Sequence, residues 1–276
     1  MSLKPTEKEL KLLFDTLTKI SGITFDEKKF KDIYKHKLSD FIESLSYSDF
    51  NKFLLDISLG RNKKVLTELI NRITINETYF FRESYQFQVL IDYCIPELVK
   101  NKVTGEPIKI LCAPCSSGEE VYSIMIYLLE EGKYIERYDF MILGIDIDTN
   151  VINKAKKGIY RSRSVHKLNK ELLEKYFKKT ADNRYQIKRF LRENANFLTV
   201  NILDRNNMLK LGKFNIILSR NMLIYFDQKN REQVIKTFYE MLNPKGFLFL
   251  GHAENINVPD MFEVVRFGNN FFYRKR

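Results

Sequence analysis

The sequence predicts an α/β fold in which a mainly parallel sheet follows an all-helical N-terminal region and carries a small inserted subdomain. A buried-strand pattern at 108–113 leads through a turn of small residues into a helical pattern at 119–130, and a second apolar strand at 140–145 ends in acidic residues. Short apolar runs and helical segments then alternate to the end of the chain, whereas residues 1 to about 75 show only helical periodicity. Strands that alternate with helices favour parallel pairing, with helices on both faces of the sheet.

Composition places the chain among globular proteins. Its 276 residues, 44% hydrophobic and 29% charged, suffice for a large core. No apolar run approaches the roughly 18 residues of a membrane span, and the polar N-terminus lacks a signal core, so we expect a cytoplasmic protein without membrane insertion.

An odd count of three cysteines argues against a disulfide framework. Cys112 and Cys115 form a C-x-x-C motif, but the chain has no second pair of cysteines. We therefore expect the two cysteines to serve as small residues beside a ligand rather than as a metal or redox site.

The net charge of +11 is concentrated in one part of the chain. Residues 151–200 carry fourteen basic and four acidic side chains, which accounts for nearly all of the excess. A local field of this kind attracts an acidic partner, either a nucleic acid or an acidic protein surface. The alternative is a solvated face of a lysine-rich protein.

The N-terminal region begins with an amphipathic helix that ends at Ser21 and Gly22. A second helix, after Thr24, has one apolar face and one basic face. The basic face is formed by Lys28, Lys29, Lys31, Lys35, His36 and Lys37. Such a face either docks on an acidic partner or meets water, and the sequence leaves both open. Shorter helices are predicted at 48–58 and 63–73.

Residues 76–83 interrupt the helical pattern with polar and aromatic residues, and a helix resumes at about 84–100 before a loop at 101–107. After the second strand, a helix ends at Gly158, and 161–192 is interpreted as a small insertion packed on the sheet. Two elements are predicted inside the insertion, a helix at 170–178 and an alternating strand at 185–190. The remaining predicted elements are strands at 195–201 and 214–219, a helix at 228–242, a turn at 243–246, a strand at 247–251 and an antiparallel pair at 262–267 and 270–274.

Three loops at the carboxyl ends of the predicted strands meet at one edge of the sheet, where open α/β folds bind ligands. A nicotinamide enzyme would need G-x-G-x-x-G in the first turn, but Ser116 and Ser117 stand where glycines are required. Asp146 also lies 28 residues beyond Gly118, rather than about 20. No G-K-[ST] motif follows a strand, so a P-loop is absent. A ligand without a pyrophosphate fits better, and S-adenosylmethionine is such a ligand: its amino-acid end can meet the first loop and its ribose the acid after the second strand.

Six motifs occur together in one order and at fitting spacing. They are N-E-T-Y-F-F-R-E at 76–83, C-S-S-G-E-E-V-Y-S at 115–123, D-I-D at 146–148, G-I-Y at 158–160, S-R-N-M-L-I-Y-F-D at 219–227 and G-H-A-E at 251–254. Together they resemble the chemotaxis receptor methyltransferase (CheR) family over essentially the whole chain. Val121 replaces a usual proline, and Ala253 and Asn255 replace serines, which affects packing rather than the expected chemistry.

The resemblance implies a Rossmann-like, S-adenosylmethionine-dependent methyltransferase sheet and methyl transfer to glutamate side chains of chemoreceptors, with S-adenosylhomocysteine as product. It implies cofactor contacts from Asn76, Thr78, Arg82, Glu119 or Glu120, Asp146, Asn201, Ile202, Ser219, Arg220 and Asn221. Tyr225 matches a tyrosine near the transferred methyl group. We expect Arg82 and Tyr225 to act in catalysis by orienting the reactants, and we expect no metal.

The resemblance also implies how the chain is organised and what it binds. We expect a helical domain with its linker at 1–82 and a methyltransferase domain at 83–276, interrupted by the insertion at about 161–192. The expected partners are the acidic cytoplasmic helices of methyl-accepting chemotaxis receptors, not nucleic acid, with recruitment to receptor arrays at the inner membrane face. Whether the insertion binds a receptor C-terminal peptide is left open.

The implied reaction needs positioning rather than proton transfer. A glutamate carboxylate, with an ordinary pKa of about 4.3, is already ionised at neutral pH, so no general base is required. Two other functions remain as alternatives. A nucleic-acid methyltransferase would suit the isoelectric point of about 9.3, but no [DN]-P-P-[FYW] motif follows Leu218. A non-catalytic cofactor sensor is disfavoured because Arg82, Asp146 and Tyr225 are all present.

Overall fold

The computed structural model describes residues 5–100 and 105–276, so part of the loop predicted at 101–107 lies outside the described residues. The α-helices of the N-terminal region are α1 (Glu7–Ser21), α2 (Glu27–Ile33), α3 (Ser39–Glu43), α4 (Phe50–Ser58) and α5 (Lys63–Ile73). Thr6 and Glu9 form a reciprocal cap at the start of α1, and Gly22 ends the helix in the left-handed conformation. A π-helical segment, Tyr34–Leu38, joins α2 to α3, so the predicted second helix is one helical stretch with a π-bulge.

The helical region has an apolar core of its own. Leu13, Phe53 and Leu69, from α1, α4 and α5, lie at its centre with no exposed surface. A second helical stretch then leads towards the sheet. It consists of α6 (Tyr85–Val89), a π-helical segment (Leu90–Cys94) and α7 (Ile95–Val99), as predicted for 84–100.

The front half of the sheet region contains β1 (Ile108–Cys112), α8 (Glu119–Glu131), β2 (Phe140–Asp146) and α9 (Thr149–Lys157). β1 and β2 pair in parallel, as the buried apolar runs predict. Asp148 caps the N-terminus of α9, and Gly158 ends it with a left-handed backbone. The strand–turn–helix–strand–acid pattern is therefore confirmed.

The insertion forms an antiparallel sheet of its own with strand order β3-β5-β4. Its elements are β3 (Ile159–Tyr160), α10 (Ser162–Val165), α11 (Lys170–Tyr176), β4 (Phe177–Lys179), β5 (Tyr185–Ile187) and α12 (Arg189–Asn194). The predicted helix at 170–178 and strand at 185–190 begin where expected but end earlier than predicted, since 177–179 form β4 and 189–194 form α12. Phe177 pairs with Ile187 and packs edge-on against Phe80, so tertiary contacts override the local pattern.

The chain then returns to the main sheet. The remaining elements are β6 (Asn196–Thr199), α13 (Arg205–Leu209), β7 (Phe214–Ser219), the 3₁₀ turn Leu223–Tyr225, α14 (Gln228–Met241), β8 (Leu242–Leu250), β9 (Phe262–Phe267) and β10 (Asn270–Lys275). The sheet order is β6-β2-β1-β7-β8-β10-β9, parallel through β8 and antiparallel at β10 and β9. The turn predicted at 243–246 lies inside β8 as an irregularity: Lys245 has φ +61°, and the pairing with β7 passes from Leu242 to Phe247.

This topology fixes where a ligand can bind. The order of strands reverses direction between β1 and β7, and the loops that leave their carboxyl ends separate to form a crevice. One sheet face packs against α6, α8 and the insertion, and the other against α13 and α14. Among the described residues, no helix is long and apolar enough to cross a membrane, and no His, Cys, Asp and Glu side chains cluster as a metal site would require.

Gly118 makes the tight turn into α8 possible. Its φ is +91°, and a Cβ there would lie 2.8 Å from the Ala155 Cβ and 3.0 Å from the Phe197 ring. We expect Gly118→Ala to lower the free energy of unfolding by about 2–3 kcal/mol, because it adds a clash to the backbone strain. Gly132 ends the same helix with φ +57° and nothing within 4 Å, so Gly132→Ala should cost only about 1 kcal/mol. Urea denaturation of both variants measures the difference, and equal losses would contradict the packing argument.

Candidate active site

A cleft with two lobes lies over the carboxyl ends of β1, β2, β6 and β7. The apolar lobe, of about 580 Å³ including solvent-open space, is lined by side chains such as Ile147, Ile202 and Phe226. The charged lobe, of about 540 Å³, is lined by side chains such as Arg82, Glu120 and Arg220. The two lobes share a wall formed by Ile75, Asn76, Pro114, Asp146 and Asn221. Each lobe has the size of a small-molecule subsite, and together they suit an elongated ligand with one apolar and one ionic end.

Asp146 stands between the lobes at the end of β2 and is 4% exposed. Its two carboxylate oxygens accept hydrogen bonds from the backbone N–H groups of Ser116 and Asp148, each at 2.9 Å. Burial raises the pKa of Asp146 to about 6, although both N–H donors oppose this rise. Because each oxygen keeps a free lone pair, the carboxylate can still accept the hydroxyl groups of a ribose.

Asp148 attaches the 76–83 motif to the sheet. One oxygen caps α9 by accepting the Asn150 N–H at 2.8 Å. The other accepts the Thr74 hydroxyl at 2.8 Å and the Asn76 amide at 2.7 Å. The sequence reasoning gave Asp148 no role, although the D-I-D motif and its place before a helix were the signals that could have identified it. The shared wall of the cleft therefore depends on this carboxylate.

Arg220 organises the charged lobe from a side chain that is only 4% exposed. Its Nη1 donates to Glu120 Oε2 at 2.7 Å, and its Nη2 donates to the Arg82 carbonyl and lies 3.5 Å from Glu83 Oε2. The guanidinium also lies over the Phe87 ring, 5.3 Å from its centre. Burial raises the pKa of Glu120, and the opposite charge of Arg220 only partly offsets this effect. The pair is thus a buried, oriented dipole at the wall of the lobe.

Two polar atoms of this pair have no nitrogen or oxygen partner among the described residues. Glu120 Oε1 accepts no N–H or O–H hydrogen bond, and Arg220 Nε donates to no oxygen. The buried Cys112 thiol hydrogen-bonds the Glu120 carboxyl group and lowers its pKa. Buried polar atoms are rarely left unpaired in native proteins, so these two indicate a ligand that supplies both an acceptor and a donor. The amino-acid end of S-adenosylmethionine carries a carboxylate and an ammonium group. With Asp146 available to a ribose, the residues present fit this cofactor.

The structure places the two predicted catalytic residues on opposite sides of the shared wall. Arg82 lines the charged lobe, where its Nη1 donates to the Glu77 carbonyl at 2.8 Å and its guanidinium lies 5.9 Å from the centre of the Tyr79 ring. Tyr225 lines the apolar lobe at the end of the 3₁₀ turn. Thr78 lies beside Arg82 in the charged lobe.

The other predicted cofactor residues divide into two groups. Asn201 and Ile202 line the apolar lobe, and the Asn201 amide is already engaged, since its Nδ2 donates to the Ile20 carbonyl at 2.7 Å. Glu119 and Ser219 line neither lobe. Glu119 is 1% exposed and accepts the Ser117 hydroxyl at 2.8 Å, while Ser219 is fully buried at the end of β7. Of the two glutamates left open by the sequence, the geometry favours Glu120.

Glu254 is a further site residue to which the sequence reasoning gave no role. Its carboxylate is buried and accepts the N–H groups of Gly251, Asn221 and Met222, each at 2.8 Å, and of Ile224 at 3.4 Å. Asn221 is held with φ +57°, a left-handed backbone that few residues adopt. The G-H-A-E motif was the available signal. Glu254 therefore fixes the loop that carries Arg220, Asn221 and Tyr225.

The pKa of Asp146 predicts how cofactor affinity depends on pH. If the ribose binds the ionised carboxylate, protonation of the free protein below about pH 6 competes with binding. The dissociation constant for S-adenosylhomocysteine should then be about tenfold higher at pH 5 than at pH 7. Calorimetry across this range measures it. Asp146→Asn, which cannot titrate, should bind weakly at all pH values, and an unchanged slope in this variant would assign the titration to another group.

Comparison with known proteins identifies relatives for the whole chain. Residues 76–271 match the family described as CheR methyltransferase, SAM binding domain. The chain is 39% identical over 256 residues to chemotaxis protein methyltransferase 2 of Vibrio cholerae, and the matched region covers 92% of this chain and 88% of that protein. It is 35% identical over 271 residues to a chemotaxis protein methyltransferase of Campylobacter jejuni, covering 98% of this chain and 97% of the relative. A chemotaxis protein methyltransferase of Borreliella burgdorferi is 33% identical, over 93% of this chain and 91% of the relative.

Proposed function

The chain belongs to the CheR methyltransferase family, and from that premise we propose that it methylates glutamate side chains of methyl-accepting chemotaxis receptors. As a member it uses S-adenosylmethionine and releases S-adenosylhomocysteine. One observation carries the proposal: a single cleft presents the Asp146 carboxylate and the Glu120–Arg220 pair, which are suited to the two polar ends of this cofactor. The esters formed would be γ-glutamyl methyl esters.

The proposed mechanism relies on position. The bound cofactor supplies a methyl group on a positively charged sulfur. Glu120 and Arg220 would hold its amino-acid end, and Asp146 would hold its ribose. The receptor carboxylate arrives ionised, so no side chain has to remove a proton. Arg82 and Tyr225 would orient the receptor carboxylate towards the reactive methyl group, and Tyr225 and Phe226, which both line the apolar lobe, would exclude water from it.

Two basic surfaces are candidates for holding the receptor. Lys28 at the start of α2 and Lys35 in the π-helical segment that follows it are exposed, whereas Lys31 is already paired with Glu7 at 3.0 Å and Glu27 at 3.1 Å. In the insertion, Arg161 and Arg163 are exposed at α10. We propose that acidic receptor helices dock on one of these surfaces, and that docking recruits the protein to receptor arrays at the inner membrane face.

Charge reversal distinguishes the two surfaces. Two double variants are compared: Lys28→Glu with Lys35→Glu, and Arg161→Glu with Arg163→Glu. The variant that alters the docking surface should show an apparent KM for receptor about tenfold higher and a weaker dependence of KM on salt, because exposed charges chiefly steer association. The pair away from the docking surface serves as the matched control, and affinity for S-adenosylhomocysteine should remain unchanged in both. Wild-type KM and salt dependence in both variants would contradict docking on either surface.

A methyl-transfer assay tests the proposed reaction. The protein is incubated with radiolabelled S-adenosylmethionine and membranes that carry receptors, and alkali then releases esterified label as methanol. Base-labile incorporation into receptor supports the proposal. Label in RNA or DNA would instead favour a nucleic-acid methyltransferase, and binding of the cofactor without any transfer would favour a sensor.

A further inference from the structure

We propose that the thiol of Cys112, which lies behind the cleft rather than in it, is a positioning residue for methyl transfer. In this proposal the thiol donates to the Glu120 carboxylate and keeps it ionised and turned towards the ammonium group of S-adenosylmethionine. The inference rests on the role proposed above for Glu120. It also separates the two halves of the C-x-x-C motif, because Cys115 lines the charged lobe and Cys112 lines neither lobe.

The backbone of Cys112 is fixed by the strands on both sides of it. Cys112 is the last residue of β1, where it lies opposite Gly144 of β2 and Leu218 of β7 in the parallel pairing. Its side chain has no exposed surface and belongs to the apolar core that α8 covers. The thiol therefore reaches Glu120, the second residue of α8, from a position that the sheet holds rigidly.

Burial keeps this thiol protonated, so it can act as a donor. The pKa of Cys112 lies well above its ordinary value, chiefly because the thiol is buried and also because the Glu120 carboxylate is close to it. A neutral thiol is a weak S–H donor that lies among apolar side chains at little cost. Its hydrogen bond to the Glu120 carboxyl group therefore runs from the sheet to the helix.

The Glu120 carboxylate needs such a donor. Its Oε2 accepts Arg220 Nη1 at 2.7 Å, whereas its Oε1 is buried and has no nitrogen or oxygen donor among the described residues. Burial raises the pKa of Glu120, the Arg220 charge and the Cys112 thiol lower it, and the Glu83 carboxylate adds to the rise. Without the thiol, a larger share of Glu120 would be protonated in the free protein, and its carboxyl group would lose a contact that directs it towards the ammonium group.

Cys112→Ala should weaken the binding of S-adenosylhomocysteine, and more so in acid. If the ionised Glu120 binds the ammonium group, a higher pKa in the free protein opposes binding below that pKa and has no effect well above it. The dissociation constant of the variant, relative to wild type, should be about fivefold higher at about pH 6 and within about twofold at about pH 8.5. Cys112→Ser keeps a donor, so it should restore most of the affinity and flatten the pH dependence of this ratio.

The ratio of variant to wild type isolates Glu120 from the other ionisable groups around it. These groups are the same in every variant: Arg82 and Glu83 from the 76–83 motif, Cys115 and Asp146 after β1 and β2, and Arg220 after β7. Asp146, with a pKa of about 6, titrates in wild type and variants alike, so its contribution cancels in the ratio.

Cys94→Ala is the matched control, because Cys94 is equally buried in the same apolar core but lies in the π-helical segment before α7 and lines neither lobe. Calorimetry with S-adenosylhomocysteine across the pH range and urea denaturation are run on wild type and on all three variants. The infrared S–H stretching band of Cys112, assigned by its loss in Cys112→Ser, is recorded in wild type with and without S-adenosylhomocysteine. This band reports on the thiol even if Cys112→Ala fails to fold.

A loss of affinity confined to Cys112→Ala that grows in acid, with recovery in Cys112→Ser and a shifted S–H band in wild type, supports the proposal. Equal losses in Cys112→Ala and Cys94→Ala, a ratio independent of pH, or an unmoved band would overturn it. Failure of the proposed function gives different results. A wild-type protein that binds no S-adenosylhomocysteine would overturn the cofactor site, and normal binding by Glu120→Gln would overturn the role of Glu120 on which the inference rests.

Discussion

Replacing Arg220 with alanine is expected to lower the free energy of unfolding by about 3–5 kcal/mol and to abolish measurable binding of S-adenosylhomocysteine. The guanidinium is 4% exposed and satisfies Glu120, Glu83 and the Arg82 carbonyl at once. Its removal leaves the Glu120 carboxylate buried without its cation. Burial already raises the pKa of Glu120, and loss of the Arg220 charge would raise it further, which weakens the negative charge that the carboxylate presents to the cofactor.

A double variant separates stability from binding. Adding Glu120→Gln to Arg220→Ala removes the unpaired charge and should recover about half of the lost stability, while binding stays undetectable. Urea denaturation and calorimetry on the single and double variants provide both measurements. An Arg220→Ala protein within about 1 kcal/mol of wild type, or one that binds normally, would show that the pair neither supports the fold nor holds the ligand.

The fold follows from the sequence where local pattern and tertiary packing agree. Buried apolar runs predict β1, β2 and β7 because both of their faces are covered, and helical spacing predicts α5 and α8. The failures lie where distant contacts decide. Phe177 begins a strand rather than extending a helix because it pairs with Ile187 inside the insertion. Residues 243–246 carry turn-forming residues, and they form an irregularity inside β8 because Leu242 and Phe247 on either side of them both pair with β7.

The site divides in the same way. Residues at strand ends, such as Asp146 and Arg220, could be placed because the topology brings all carboxyl ends to one edge. That Glu120 rather than Glu119 lines the charged lobe depends on how α8 is rotated, which spacing alone does not give. Ile23 is half-buried on an amphipathic helical region and resembles any core residue in sequence. Its place in the cleft results from docking against loops about two hundred residues away.

Glu254→Ala is expected to reduce the affinity for S-adenosylhomocysteine at least a hundredfold and to lower the free energy of unfolding by about 3–5 kcal/mol. One carboxylate accepts four backbone N–H groups, and a hydrogen bond to a charged acceptor contributes about 1.5–3 kcal/mol. Alanine would leave those donors buried and unpaired. Asn221, at φ +57°, would lose the hydrogen bond that holds its left-handed backbone. The loop would then move Arg220 and Tyr225 out of position.

Conservative and distant substitutions distinguish positioning from general stability. Glu254→Gln keeps one acceptor oxygen but directs an amide donor at the remaining N–H groups, so it should bind almost as poorly as Glu254→Ala. Glu263→Ala is the matched control, since Glu263 pairs with Arg274 on the β9–β10 hairpin, is about one-third exposed and lines neither lobe of the cleft. This control should lose less than about 1 kcal/mol and bind normally. Normal binding by a folded Glu254→Ala protein would mean that the loop keeps its shape through packing alone, and that the carboxylate has no part in the site.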